Sequence, residues 1–305
     1  MKRTGLKELL EKGQVVVPGI YDCISAQAVN LTGFQAAYLS SRGVAYSWCG
    51  TPDLGLVNVE EMLWFISRIS DYVDLPLIVS AENGYGDPGS SVYRTIKRMV
   101  KAGAGAVILD DTAGYRGGDR NTIPRVVGES VWREKLLAAR EAVKGTDSLV
   151  IAQSMAKEVL GFEEALSRCR IASELGADVV SIAGLRTAGD AGTMADRIPG
   201  RKLWADWNPR SGAPSLGLAE LETWGFCLVT VFYTEEASMY GMLDFAKQNL
   251  KNGSTVYHDQ HDFGGLLKPG EDYHKFFSFH KKWLPMEHQF LDVKELSRLP
   301  DFVKE

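Results

Sequence analysis

The sequence predicts an α/β chain closed as a (β/α)8, TIM-type barrel with an extra helical C-terminal tail. Three observations carry that prediction. Short, continuous apolar runs without polar alternation recur along the chain, the mark of parallel strands covered on both faces. Four segments, "LTGFQAAYLS", "KAGAGAVILD", "ELGADVVSIA" and "TWGFCLVTVF", each close a helix-like stretch with a glycine (Gly33, Gly103, Gly176, Gly225) just before such a run. Glycine past a helix end takes the left-handed conformation at little cost. Eight strand–helix units over about 250 residues is the arithmetic of this barrel.

Each element has its own justification. A charged amphipathic start, MKRTGLKELLEKG, has no apolar signal core and leads to a first strand near Val15–Val17. The second strand falls near Ala36–Leu39, followed by a long loop and a helical pattern over Glu60–Tyr72. Strand Leu77–Val79 ends abruptly at the glycine-rich "AENGYGDPG", and a helix spans Ser90–Ala102. Strand Ala106–Leu109 runs into the loop Thr112–Glu129 and helix Ser130–Val143. Strand Leu149–Ala152, helix Phe162–Leu175 and strand Val179–Ile182 follow. Strands Leu203–Ala205 and Cys227–Val231 complete the eight, and a helix covers Glu235–Leu250. No glycine-rich dinucleotide fingerprint follows the first strand, which argues against a doubly wound open sheet. Residues 1–250 are expected to form the barrel. Residues 251–305, rich in aromatic and basic side chains as in "YHKFFSFHKKWLP", are expected to add helices that pack on the barrel or on a neighbouring subunit.

Composition narrows the function. A net charge of −5 argues against a nucleic-acid or anionic-membrane partner. No run approaches the roughly 18 apolar residues of a membrane span. The four cysteines (Cys23, Cys49, Cys169, Cys227) have no CxxC spacing and read as reduced thiols of a cytoplasmic protein. All five histidines (His258, His261, His274, His280, His288) lie in the last fifth of the chain. Chemistry in the barrel must then run on carboxylates, hydroxyls, Lys, Arg, Tyr or a metal; the "HDQH" pair reads as solvated, not as ligands.

In such barrels the chemistry lies where strands end. The second strand leads to Ser40, Ser41 and Arg42, then a loop with Tyr46, Trp48 and Asp53. The third leads to Ser80 and Glu82, the fourth to Asp110 and Asp111, the fifth to Gln153 and Ser154. The seventh leads to Asp206 and Asn208, and the eighth to Tyr233 and Glu235. Asp53, Glu82, Asp110 and Asp111 are too many carboxylates to share one mouth uncompensated. Either a divalent cation neutralises them or their pKa values spread apart; an all-oxygen set suits Mg2+ or Mn2+ better than zinc. The bland alternative is that two or three of them cap the following helices. Tyr46 and Trp48 are candidates to wall a pocket, as are Trp204 and Trp207, for which core packing is the commoner fate. The long loop carries Arg116, Arg120 and Arg125 and reads as a mobile lid for an anionic substrate, or else as a solvated basic loop. Cys49 has no base near it in sequence.

The order of "PGIYDCISAQAVNLTGFQAAYLSSRGVA", "TPDLGLVNVEEM", "LPLIVSAENGYGDP" and "KAGAGAVILDD" resembles the isocitrate lyase and phosphoenolpyruvate mutase superfamily, the smaller 2-methylisocitrate lyases and carboxyphosphonoenolpyruvate mutases above all. The likeness runs from about Pro18 to Asn249. It implies enolate chemistry on an α-oxycarboxylate chelated by Mg2+, and a homotetramer in which the last barrel helix packs on a neighbour. Asp53 matches the family's Asp after the second strand. Asp110-Asp111 stands for its Glu-Asp after the fourth, and Ser80-Ala81-Glu82 for its Asp-x-Asp, so the metal set carried over is Glu82, Asp110 and Asp111.

Other positions depart from the family. Where the lyases have Lys-Arg-Cys-Gly-His on the lid, Arg116-Gly117-Gly118-Asp119 stands here. Gln153 replaces an Arg that holds substrate, Asp206 an Asn, and Ser238 an Arg. Arg42 and Tyr46 take the place of small residues. Two cations are lost and one appears from the opposite wall, which implies a substrate with a single or differently placed carboxylate. Asp119 or Tyr115 then replaces the lyases' thiol as general acid or base, beside Arg116 and Asp53 as catalytic candidates. Ser40, Ser41, Arg42, Tyr46, Trp48, Gln153 and Asp206 are the substrate-binding candidates. The expected reaction makes or breaks a C–C bond next to a keto or hydroxy carboxylate. The alternatives are C–P or C–heteroatom cleavage, hydrolysis, a rearrangement, or a barrel that has lost its chemistry.

Overall fold

The computed structural model describes residues 5–114, 125–206 and 216–255, together with Trp283, Met286, Gln289 and Phe290. Eight parallel strands close a barrel in sequence order: β1 (Val15–Ile20), β2 (Ala37–Leu39), β3 (Leu77–Ser80), β4 (Ala104–Asp110), β5 (Leu149–Ser154), β6 (Val179–Ile182), β7 (Lys202–Asp206) and β8 (Phe226–Val231). Pairing of Val15 with Leu228 and of Val17 with Thr230 seals β1 to β8. All eight expected strands are present. The helices are α1 (Leu6–Lys12), α2 (Cys23–Leu31), α3 (Ser41–Val44), α4 (Val59–Tyr72), α5 (Gly89–Lys101), α6 (Glu129–Val143), α7 (Phe162–Glu174), α8 (Ala188–Arg197), α9 (Leu218–Thr223) and α10 (Thr234–Asn252). The chain divides into two compact units, Met1–Glu235 and Glu236–Glu305. Among the described residues no helix is long and apolar enough to cross a membrane.

The strands read as solid apolar runs because each feeds two cores. Val107 and Leu109 of β4, Val150 and Ala152 of β5 and Val180 and Ile182 of β6 join the helix side chains in one cluster. The alternate residues Ala106, Ile108, Leu149, Ile151 and Val179 form a second cluster inside the barrel. Leu6, Leu9 and Leu10 of α1 belong to that inner cluster, so α1 plugs the amino end of the barrel. The four glycines that signalled helix ends all have positive φ, between 77° and 114°. At Gly103, φ is 114° and a Cβ would stand 2.4 Å from Ser70 Oγ, so backbone and space alike demand glycine.

One expectation is corrected. The long loop after β2 is helical over its first half: α3 passes directly into a π-helical turn, Ala45–Cys49, that ends on Gly50. Ser40 starts it by accepting the Gly43 N–H at 2.9 Å. The loop resumes only at Thr51 and hands over to α4 through a reciprocal cap between Asn58 and Glu61.

Candidate active site

The carboxyl ends of the strands bring Ser41, Ser80, Glu82 and Asp53 to one rim. Beyond β3 the chain stays bonded to β4: the Ala81 N–H donates to Ile108 O and the Asp110 N–H to Glu82 O, both at 2.8 Å. These bonds fix Glu82 at φ 49°, a left-handed conformation that costs an ordinary residue about 1–2 kcal/mol. Strain of this kind concentrates at functional sites. The carboxylate is buried, and its Oε1 accepts from the Ser80 hydroxyl at 3.1 Å and from the Ser41 hydroxyl. Glu82 is therefore no solvated turn residue. It lines a cavity of about 290 Å³ together with Ser41, Asp53, Asn83, Tyr85 and Thr112.

The two aspartates at the end of β4 have separate fates. Asp110 is buried, and its Oδ1 accepts from the Thr112 N–H at 3.0 Å and from the Thr112 hydroxyl. Asp111, expected as a metal ligand, is committed elsewhere. Its Oδ1 takes the Met155 N–H at 2.7 Å, while its Oδ2 takes the Ser154 hydroxyl at 2.9 Å and Arg168 Nη1 at 3.2 Å. Three protein donors on a fully buried carboxylate tie the ends of β4 and β5 to α7 and leave it no part in lining the cavity. Burial pushes its carboxyl above the ordinary range, opposed by the Met155 and Ser154 hydrogen bonds and by Arg168.

On the opposite wall Arg42 lies over the Phe232 ring, 5.1 Å from its centroid, and its Nη2 is 3.8 Å from Glu235 Oε1. Phe232 packs against the inner barrel cluster, so Arg42 caps the barrel interior from above. Gln153 is buried and donates to Ser181 Oγ at 3.4 Å. Asp206 is the last residue of β7, at the same rim. Neither Tyr46 nor Trp48 lines this cavity. Both are exposed, because the π-helical turn swings Trp48 outward onto Trp64 (stacked, 5.6 Å) and edge-on to Phe65 (5.7 Å) of α4. Trp204 is core, edge-on to Phe226 at 5.5 Å. Burial raises the thiols of Cys23, Cys169 and Cys227, which suits none of them to nucleophilic work. Tyr115, Arg116, Asp119, Arg120, Trp207, Asn208 and the "HDQH" pair lie outside the described residues.

Sequence reasoning overlooked Thr112, which clamps Asp110, and two buried cations, Lys135 and Arg168. A signal existed for both cations. Lys135 sits between Trp132, Leu136 and Ala139 on the buried stripe of α6, and Arg168 between Ala165, Cys169 and Ala172 on that of α7. A charge on an apolar helix face needs a buried partner.

Among the described residues no three His, Cys, Asp or Glu side chains converge to cage an ion. Mg2+ keeps most of its waters and needs only one or two carboxylates besides substrate oxygens. The oxygen donors Glu82, Asp53 and Ser41 among the described residues suit that ion better than zinc.

A closed eight-stranded barrel with an acidic, hydroxyl-rich cavity at the carboxyl ends of its strands defines a (β/α)8-barrel enzyme. Residues 6–249 match the family model described as phosphoenolpyruvate phosphomutase. The chain belongs to that family and, with it, to the isocitrate lyase/PEP mutase superfamily of lyases and mutases that act on keto-carboxylates. It is 30% identical over 294 residues to the 2,3-dimethylmalate lyase of Eubacterium barkeri, covering 89% of this chain and 96% of that protein. A crystal structure of 2,3-dimethylmalate lyase superimposes with a TM-score of 0.77 at 25% identity, over 93% of this chain and 92% of the other. The 2-methylisocitrate lyase of Escherichia coli (strain K12) is 31% identical over 172 residues, 56% of this chain and 58% of that protein. A phosphonopyruvate hydrolase crystallised with oxalate and Mg2+ shares the fold, with a TM-score of 0.78 at 19% identity over 94% and 98% of the two chains.

Proposed function

We propose that this enzyme makes or breaks a C–C bond adjacent to the keto or hydroxy group of a small carboxylate, through an enolate stabilised by a divalent cation. The observation that carries the reading is Glu82: a strained, buried carboxylate at the cavity wall, beside Asp53, on the loop where the superfamily keeps its acidic pair. Glu82 would hold Mg2+ or Mn2+ directly, and Asp53 and Asp110 would do so through water. When bound, the cation supplies charge stabilisation to the developing enolate.

The chain's own residues set the rest. Ser41 and Ser80 orient Glu82 through its Oε1. Thr112 fixes Asp110 through its N–H and its hydroxyl. Gln153 offers a neutral amide where relatives carry a cation, and the charge of Arg42 is partly met by Glu235. Such a mouth favours a substrate with one carboxylate at the cation site over a tricarboxylate. Tyr115, Arg116 and Asp119 are our candidates for the proton-transfer groups, with Asp53 nearest the substrate. The 2,3-dimethylmalate lyase likeness supports small branched hydroxy acids as the first substrates to assay. We assign the protein to the cytoplasm as a homotetramer. The support is four free cysteines and, on α10, the exposed Met239, Tyr240, Met242 and Leu243, which suit contact with a neighbouring copy. The expected packing of the C-terminal tail lies almost wholly outside the described residues.

The test is calorimetric titration of metal-stripped protein with Mg2+ and Mn2+, with and without oxalate as an enolate mimic, on the parent and Glu82→Gln. The expected result is binding that oxalate tightens and that weakens at least about tenfold in the variant, the least loss for a direct or near-direct ligand. No binding in the parent, or equal binding in both, overturns the metal assignment.

A further inference from the structure

We propose that Lys135 is a positioning residue that holds Glu82 in its strained conformation from behind the β3–α5 loop. The inference rests on the reading of Glu82 above. Lys135 projects from the apolar face of α6 and its side chain is 0% exposed. Its Nζ donates to Asn83 O at 2.8 Å, Gly86 O at 3.1 Å and Asp87 Oδ1 at 3.3 Å, so all three ammonium protons meet one five-residue turn. A buried ammonium is tolerated only where its donors are satisfied, and here the acceptors are mainly main-chain carbonyls, which can face inward only if the turn keeps its present path.

That path is unusual. Glu82 (φ 49°), Gly84 (φ 89°) and Tyr85 (φ 55°) all have positive φ, and two of the three carry side chains. Without an external hold, such residues relax toward negative φ. The carbonyl that Lys135 grips most closely belongs to Asn83, directly after Glu82, so rotation of the Asn83–Gly84 peptide would strand the ammonium. The neighbouring Glu134 secures the other end of the same segment: its Oε1 accepts the Gly89 N–H at 2.9 Å. Two adjacent residues of α6 thus clamp the loop at both ends, while Asn83 bridges it to Gly114 O (3.3 Å) and accepts the Tyr85 N–H (3.1 Å). The consequence for the site is direct. Glu82 reaches Ser41 and Ser80 from its left-handed backbone, and the lysine adds its hold on the following turn to the two bonds that tie Glu82 to β4.

The experiment pairs hydrogen exchange of the metal-free protein with Mg2+ titration in the presence of oxalate, on the parent, Lys135→Met and Lys135→Arg. Expected for Lys135→Met are exchange at least tenfold faster at amides 83–87, unchanged protection in β5 and β6, and a 10- to 100-fold loss of Mg2+ affinity, the range for groups that orient a ligand. Lys135→Arg keeps the charge but cannot place three donors on this turn; it shows the same loop effect if Lys135→Met fails to fold. Parent-like loop protection in either folded variant overturns the proposal, as does loss of protection spread evenly over the barrel. If the parent binds no Mg2+, the metal reading falls, and the exchange data alone decide the role of Lys135.

Discussion

Replacing Arg168 by Met tests whether the carboxylate beneath the site is an ion held by an ion. Asp111 is 0% exposed and Arg168 3%, and their contact is 3.2 Å. Removing one partner of a buried pair usually costs about 3–5 kcal/mol, because the other is left charged in a poor solvent. Asp111 keeps the Ser154 hydroxyl and the Met155 N–H, which places the loss near the lower end, about 3 kcal/mol. For a unit of this size that is a fall in Tm of roughly 6–12 °C. The sign with pH follows from the direction of the shift. Burial already raises the Asp111 carboxyl, and losing Arg168 raises it further. The deficit of Arg168→Met is therefore full at pH values above the variant's elevated pKa. It fades as pH falls through that pKa, where Asp111 takes a proton and no longer needs a cation. Urea unfolding at several pH values measures it, and Arg168→Met/Asp111→Asn should regain at least half of the loss. A deficit under about 1 kcal/mol, or one that does not change with pH, refutes the reasoning.

Two further outcomes are expected. Gly103→Ala destabilises by at least about 2 kcal/mol in urea unfolding, combining a φ of 114° with a Cβ driven onto Ser70; adding Ser70→Gly recovers the clash and leaves the backbone cost. Ser80→Asp restores the superfamily's carboxylate where the Ser80 hydroxyl now lies 3.1 Å from Glu82. Two buried like charges there lower metal-free stability by roughly 1–3 kcal/mol, a loss relieved as pH falls and a shared proton enters. Mg2+ should restore the melting temperature of that variant more than that of the parent, and an equal response to EDTA and Mg2+ would show that no ion sits between them.

The barrel was legible because its physics is written residue by residue: a strand buried on both faces has to be apolar throughout, and a helix that turns sharply back needs glycine at its end. The rim was half legible. Ser41 and Glu82 line the cavity because they follow strand ends, and Asp53 joins them from the loop after β2. The outward turn of Trp48 was not legible, because nothing in "SRGVAYSWCG" announces a π-helical turn, and one added residue in a helical turn redirects every side chain beyond it. The left-handed backbone of Glu82 was also invisible, since sequence marks such conformations only when glycine adopts them, and the bonds that flank it run to β4, a strand distant in sequence. Asp110 and Asp111 look equivalent in sequence, yet Asp110 is bonded to Thr112, which lines the cavity, while Asp111 is spent on β5 and α7, a distinction made by Thr112 and Arg168.

The helix that stoppers the amino end of the barrel leaves the carboxyl ends of the strands as the barrel's working rim. Leu6, Leu9 and Leu10 lie at its foot, in the inner cluster and away from the cavity lined by Ser41, Asp53 and Glu82. Substitutions among them are felt as heat tolerance, and those at the rim as choice of substrate. An engineer can therefore reinforce the foot first and use the margin gained to reshape the rim, in two libraries that share no position.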